Sequence, residues 1–390
     1  MLYEIHMLKN YPPANLNRDD TGMPKTCYFG GVQRGRISSQ CLKRSWRTSP
    51  LFSQFLGPMG TRTRKLPELV AQELKNRSVD ATIAEATKKA VSGIAKKETK
   101  KAVSGIAKKD KKKEEKEEKE NKDFTPQIVF YAAEDITAVA DAVEALLKQN
   151  GMKGEKIKAK EILEQIKDAN LRPITLDIAL FGRMVTSPAF ADVEAAVQTA
   201  HAISTHPVNS ESDYFAAVDD LLSQADNLDP APKGAGMLGD VDFNSCCYYH
   251  YIAIDTDQLA QNLAHSPEAQ QFIDSVLPAF IQVMAYTDPS GKQNSFASHV
   301  LPELLCIEIK EKKIPLSYAN AYASPVSFSA AGKLIENSVK ALSEEIDRID
   351  KSYSLEIKHR FWFSPRIENA QPQKCEVVQN MEELLNKCRP

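Results

Sequence analysis

The chain has 390 residues, 42% of them hydrophobic, and its 50 Lys and Arg against 52 Asp and Glu give a formal net charge of −2. That length is enough for about two domains, or for one with large insertions, and no apolar run reaches the ~18 residues of a membrane-spanning helix. The seven cysteines (Cys27, Cys41, Cys246, Cys247, Cys306, Cys375 and Cys388) include no C-x-x-C pair, which argues against a zinc site or a disulfide framework and for a reducing cytoplasm.

In chain order, the first expected element is a strand, "YEIHML" (3–8). The sequence there lacks the basic, apolar, small-residue order of a secretory signal. Next comes "FGGVQRGRISSQCLKR" (29–44), inside a run from Thr21 to Pro67 with nine Lys and Arg and no acidic residue. Gly30 and Gly31 permit a tight turn and close approach of another backbone. Arg34 and Arg36 alternate along an extended segment and so share a face. Ser38 or Ser39 is an N-cap, and "QCLKRSWR" continues as a helix. Lys43 and Arg47 fall on one side of it with Arg44 adjacent, while Leu42 and Trp46 form an apolar stripe that buries against a sheet. The first-turn N–H groups, among five basic side chains, suit the phosphates of a polynucleotide. The alternative is an ordinary amphipathic helix with a solvated basic face, which the absence of acidic partners weighs against.

Residues 88–122 carry 14 Lys and 7 acidic residues. Subtracting that +7 from −2 leaves the remainder at −9, so the basic N-terminal run sits in an otherwise acidic chain. "KKAVSGIAKKET" (88–99) recurs as "KKAVSGIAKKDK" (100–111), too few copies for a solenoid. Ala90, Val91 and Ile94 could share a helical face weakened by Gly93, and the segment reads as a solvated surface insertion or, alternatively, a nucleic-acid-binding tail. Two helices follow within 124–168, "DITAVADAVEALLKQ" and "KAKEILEQIKDA". Strands are expected at "SCCYYHYIAID" (245–255), apolar on both faces as in a covered central strand, at "LLCIEIK" (304–310) and within "LEIKHRFWF" (355–363). Helices are expected over 268–286 and 332–349. This order fits an α+β domain with insertions better than a doubly wound sheet.

Two enzymatic alternatives are visible. Asp19 and Asp20 could hold Mg²⁺ beside a phosphate for ribonuclease chemistry, although adjacent aspartates also cap turns. His6, His201 and His206, with Tyr248 or Tyr249, are candidates for acid–base RNA processing; His201 and His206 flank "AIST" at a spacing compatible with one helical face. A further alternative is an assembly protein that never touches nucleic acid.

The stretch "NLNRDDTGMPKTCYFGGVQRGRISSQCLKRSWR" (15–47) resembles the N-terminus of the backbone subunit, CasC, of type I-E CRISPR Cascade. "LDIALFGRMVTS" (176–187), "AHAISTHPVNSESDYFAAVDDL" (200–221), "GKQNSFA" (291–297) and "PLSYANAY" (315–322) follow in the family's order; residues 57–170 and those beyond about 330 match poorly. The resemblance implies a hand-shaped α+β protein. Its palm is a modified RRM/ferredoxin-like fold (1–50, 173–206 and 244–390), its fingers a helical insertion (51–172) and its thumb a β-hairpin (207–243). It implies copies of the chain arrayed head-to-tail along a CRISPR RNA, displaying the spacer for pairing with target DNA beside other Cascade subunits. No catalytic role, cofactor, metal or membrane is implied, since a separate helicase-nuclease cuts the DNA. Carried over by motif, Arg18, Lys25, Ser38, Gln40, Lys43, Arg44 and Arg47 hold guide phosphates. Arg34 and Arg36 join them from the basic run, and Lys292 and Gln293 are further candidates. Met184, in a loop after an "LDIALF" strand, wedges beside a displaced nucleotide, and Phe215 on the thumb shares in that kink. Ala216 stands where the family pattern has a hydrogen-bonding residue.

Overall fold

The computed structural model describes residues 1–95, 123–166, 169–217, 237–264, 269–327, 333–365 and 370–389. They form two compact units, one of 1–56, 197–256 and 274–390, the other of 57–196 and 257–273. No helix among the described residues is long and apolar enough to cross a membrane.

The first unit is built on a large mixed sheet whose centre is the strand Leu2–Ala14, antiparallel to Met237–Asp255 on one side and to Leu304–Lys310 on the other. Residues 2–9 and 246–250 are buried without interruption, the pattern of strands covered on both faces. Beyond Leu304–Lys310 lie His359–Phe363 and Glu376–Val377; beyond Met237–Asp255 lie Ala202–Ser204, Val32–Ile37 and Thr26–Phe29. The strands expected from their apolar runs are all present. The helix Leu334–Tyr353 packs Val339, Leu342 and Ile346 into a cluster with Tyr249, Tyr322 and Trp362, and the other expected helix runs Ala269–Tyr286. The Met237 end of the long strand pairs antiparallel with Glu211–Ala217, giving the two strands of a hairpin; residues 218–236 between them lie outside the described residues.

A line of buried charge crosses three strands of this sheet. Lys310 pairs with Glu4 and, at 2.9 Å, with Glu308. Arg360 binds Glu308 at 2.8 Å and Asp350 at 2.7 Å. Burial alone would raise the Glu308 carboxyl, but Arg360 foremost brings it down to about 2 from 4.5. Burial holds His6 and His250 down to about 3 from 6.5. On acidification the unfolded chain therefore takes up protons that the folded chain refuses, first at the histidines below pH ~6.5 and then at the glutamate below pH ~4.5. All three contributions are complete above those values and fade as pH falls towards the folded ones. Unfolding free energies from urea titrations between pH 7 and 4 should fall throughout, by up to about 1.4 kcal/mol per pH unit for each histidine. His250→Leu should flatten the profile by one such increment; an unchanged profile would contradict this account.

The second unit is helical around a two-stranded ribbon, Thr61–Thr63 with Val129–Tyr131. Its helices include Leu66–Asn76, Ala81–Ile94, Ala133–Gln149 and Ala159–Gln165, with Val70, Leu74, Val91, Val139 and Val143 among the core residues. The insertion expected over 51–172 overlaps this unit, which continues to residue 196. Its first lysine repeat differs from a solvated tract: Ala90, Val91 and Ile94 are buried, and a Cβ on Gly93 would lie 2.8 Å from the Ala159 Cβ, so the glycine there permits close helix packing. The second copy and the Lys/Glu run to residue 122 lie outside the described residues. "LDIALF" is a helix, Leu176–Phe181, and not the strand expected. Six apolar-rich residues do not separate the two periods; the helix ends at Gly182, whose φ of +79° few other residues adopt.

Candidate nucleic-acid interface

Strands Thr26–Phe29 and Val32–Ile37 are joined by Gly30 and Gly31 at φ +62° and +81°, the left-handed pair that a two-residue hairpin turn requires. A Cβ on Gly30 would lie 1.7 Å from the Ala323 carbonyl oxygen. The second strand leads into the basic helix Ser39–Thr48, capped by Ser38, whose Oγ accepts from the Cys41 N–H at 3.3 Å. The Ser38 N–H donates to Asn17 Oδ1 at 2.9 Å, tying the helix start to the loop after the first strand. Leu42 and Trp46 are buried, with Trp46 edge-on to Phe280 at 6.1 Å.

The loop 17–25 is fixed by its own bonds. Lys25 N–H donates to the Asn17 carbonyl at 2.8 Å. Asp19 Oδ1 accepts from the Thr21 hydroxyl and N–H and from the Met23 N–H. These bonds, the Thr21 hydroxyl first, hold the Asp19 carboxyl below its ordinary range. Asp19 therefore acts as a turn cap, and Asp20 is exposed beside it. Arg18 and Arg44 are exposed and line one groove of about 400 Å³ with Asn17, Asp19, Ser45, Thr48 and Gly291. Burial pushes the Cys41 thiol up, while the nearby Ser45 hydroxyl and the charges of Lys25 and Arg44 pull it down. His201 is held below its ordinary value by partial burial and by the charges of Arg36 and Lys25. Arg18, Lys25, Arg36 and Arg44 thus crowd one surface. Among the described residues, no carboxylate lies within 4.0 Å of any of these four charges.

Not every cation of the run is presented there. Arg34 is 0% exposed and donates to the carbonyls of Phe29, Ser204 and Tyr322 at 3.3, 3.0 and 2.7 Å. The expected phosphate ligand is a buried brace across three segments, because its face of the strand is covered. Lys43 is half-buried; its Nζ donates to the Val197 carbonyl at 3.2 Å, and burial lowers its pKa. Arg36 is half-buried, with its Nε on the Thr26 carbonyl and its NH1 3.0 Å from His201 Nδ1. Ser38 is buried as the cap, Gln40 is exposed in the first turn and Arg47 is half-buried in the last.

Lys292, at φ +53°, precedes the short helix Gln293–Phe296. The Gln293 amide donates to the Pro289 carbonyl at 3.0 Å and accepts from Ser298 Oγ at 3.3 Å, so it braces its own loop. A Cβ on Gly291 would lie 2.3 Å from the Leu16 carbonyl oxygen, which seats this loop against the chain just before Arg18. Asp288 anchors its start: one carboxylate oxygen accepts from Lys9 Nζ at 2.8 Å and Tyr11 OH at 2.7 Å, and the other from the Val300 N–H at 3.1 Å. Sequence reading misses this Lys9–Asp288 pair, and it misses Asn17 although that residue stands in the quoted block.

In the helical unit, Met184 is 90% exposed between two anchored neighbours. Buried Arg183 pairs with Asp135 and exchanges backbone hydrogen bonds with Val193 at 2.9 and 2.8 Å; Val185 N–H donates to Asp192 Oδ1 at 2.6 Å. In the first unit, Phe215 lies opposite Gly239 in the hairpin, and its ring fills the space over that glycine. Tyr214, Met237 and Leu238 beside it are exposed. The histidines are dispersed. His6 is buried against Tyr249 OH at 2.8 Å, His206 spends both ring nitrogens on Pro207 and Cys247, and "AIST" contains a strand, Ala202–Ser204, where a helical face was expected. Tyr248 OH is bonded to Asn244.

The fold is that of an α+β protein, and Arg18, Lys25, Arg36 and Arg44 give it a cationic surface. Residues 3–387 match the CT1975-like protein family, and the chain belongs to it. It is similar to a chain of a solved "CRISPR RNA-guided surveillance complex, pre-nicking", at a TM-score of 0.79 and 25% identity over 99% of this chain and 98% of that one. A chain of another solved "CRISPR RNA-guided surveillance complex" aligns over 100% of both chains at a TM-score of 0.67 and 22% identity, a likeness of fold. No curated protein matches the chain.

Proposed function

We propose that this chain is a guide-holding subunit of a CRISPR RNA-guided complex, of the type I-E Cascade backbone kind, with no catalytic role of its own. The observation that carries the reading is the surface of Arg18, Lys25, Arg36 and Arg44, none of which has a carboxylate within 4.0 Å among the described residues. Phosphate contacts carry no sequence information, which suits a subunit that must accept any spacer. Gln40, Arg47 and the Lys292 loop extend the surface, while Arg34, Lys43 and Gln293 keep its scaffold in shape. On this reading the sheet is the RRM-like palm, the helical unit the fingers and the 211–243 pair the base of the thumb. Met184 and Phe215 are apolar wedges that unstack one nucleotide at each subunit boundary, at a cost of a few kcal/mol. Copies stack head-to-tail in a contact that does not close, beside other subunits and with target DNA paired to the guide, in the cytoplasm.

The chain purified with its partners should carry a uniform RNA of about 60 nucleotides, several subunits each covering part of one strand. Complementary RNA added with Mg²⁺ should stay whole. Absence of RNA sinks the proposal. Cleavage lost in Asp20→Ala would favour the metal-dependent ribonuclease instead.

A further inference from the structure

A second cationic surface lies on the ribbon of the helical unit. Arg62 is the register partner of Phe130, and its guanidinium carbon lies 5.4 Å from that ring's centroid. Two residues on, Arg64 lies over Phe124 at 5.9 Å and is fixed by Nε donating to the Thr125 carbonyl at 2.8 Å. The pleat turns Val129 and Tyr131 into the core, which leaves Arg62 and Phe130 together on the outer face. Around them Phe124 is 37% and Ile128 56% exposed. Segments 57–67 and 124–133 contain no Asp or Glu. Among the described residues, no carboxylate lies within 4.0 Å of Arg62 or Arg64.

Three apolar side chains stand at a surface where neighbouring positions could be polar, and two arginines go without counter-charge. Both features become favourable with one kind of occupant. Guanidinium planes held over aromatic rings offer flat faces for unstacked bases, and their charge neutralises the accompanying phosphates. A duplex keeps its bases stacked and cannot use those faces. We infer that the Arg62–Phe130 and Arg64–Phe124 pairs form a binding ribbon for single-stranded DNA, distinct from the groove proposed for the guide. The choice of DNA rests on that guide-holding reading: when an RNA pairs with one strand of a DNA duplex, the strand set free is DNA.

The test uses the full-length chain loaded with guide RNA and a labelled oligo-dT of about 20 nucleotides, compared with oligo-rU, a DNA duplex and poly-glutamate. Oligo-dT should bind best. Arg62→Gln with Arg64→Gln should weaken it about tenfold or more while guide loading is retained, which also reports that the variant is folded. Arg62→Lys with Arg64→Lys, which keeps the charge and loses the planar stack, should fall between. Unchanged oligo-dT affinity in the glutamine variant, or a wild-type preference for rU, duplex or poly-glutamate, overturns the inference. If no guide loads, the earlier reading fails on its own. Oligo-dT is then titrated against the guide-free chain carrying Arg18→Gln, Lys25→Gln and Arg44→Gln, with and without the ribbon substitutions. Ribbon-dependent binding there supports the inference, and its absence overturns it.

Discussion

Replacing Arg18, Lys25 and Arg44 together by glutamine should reduce guide-RNA affinity by orders of magnitude at physiological salt. It should also lower the slope of log affinity against log salt by about two units. The figure follows from three lost phosphate contacts at ~0.7 each for a single strand. These three are the appropriate set because Arg18 and Arg44 line the groove and Lys25 acts electrostatically on the same Cys41 thiol as Arg44. None of them has a carboxylate partner among the described residues, so their removal unbalances no internal ion pair. Lys43→Gln should change the slope much less, since its ammonium already sits on the Val197 carbonyl. Anisotropy titrations from about 50 to about 300 mM salt resolve such slopes. An unchanged slope in the triple variant would mean that the groove binds no phosphates, and the non-binding assembly protein would become the better reading.

The contrast between Arg44 and Lys43 shows what a sequence can convey here. The Gly30-Gly31 turn, the Ser38 cap and the Leu42/Trp46 stripe depend on residues a few positions apart, and all three are legible in the amino-acid order alone. Arg34 is misplaced by the same reasoning because its fate is decided by carbonyls 170 and 288 residues away. The alternation of Arg34 and Arg36 is real, but what covers that face comes from distant chain. The Lys9–Asp288 pair spans 279 residues and leaves no local trace. "LDIALF" and "AIST" mislead for a different reason: the strand at the first comes with the family resemblance, and the helical face at the second from the His201 and His206 spacing alone. Both segments are too short for their own pattern to distinguish a helix from a strand. In the first lysine repeat, charge count points to solvent, whereas the Ala90, Val91 and Ile94 spacing already describes the buried face.

Met184 and its support can be separated experimentally. Asp135 accepts from the Ala132 N–H at 3.0 Å and faces two guanidinium groups, Arg183 in direct contact and Arg172 at 3.3 Å. Asp135→Asn preserves volume but leaves both arginines in a buried site without counter-charge. Removing one partner of such a pair costs about 3–5 kcal/mol, because the remaining charge keeps its desolvation penalty and loses its compensation. Urea unfolding should register that loss. The backbone of residue 183, paired with Val193, should then no longer hold Met184 in place. Met184→Ala, by contrast, changes a side chain that is 90% exposed and should leave stability within about 0.5 kcal/mol of the parent. If Met184 is a wedge, both variants should weaken the periodic reactivity of guide nucleotides towards 2′-hydroxyl acylation, and only Asp135→Asn should lower the urea midpoint. A periodic pattern that survives Met184→Ala would remove the wedge while leaving the anchor intact. A loss under about 1 kcal/mol for Asp135→Asn, well below the usual cost of an orphaned buried charge, would mean that the loop is held by its backbone bonds to Val193 and Asp192 alone.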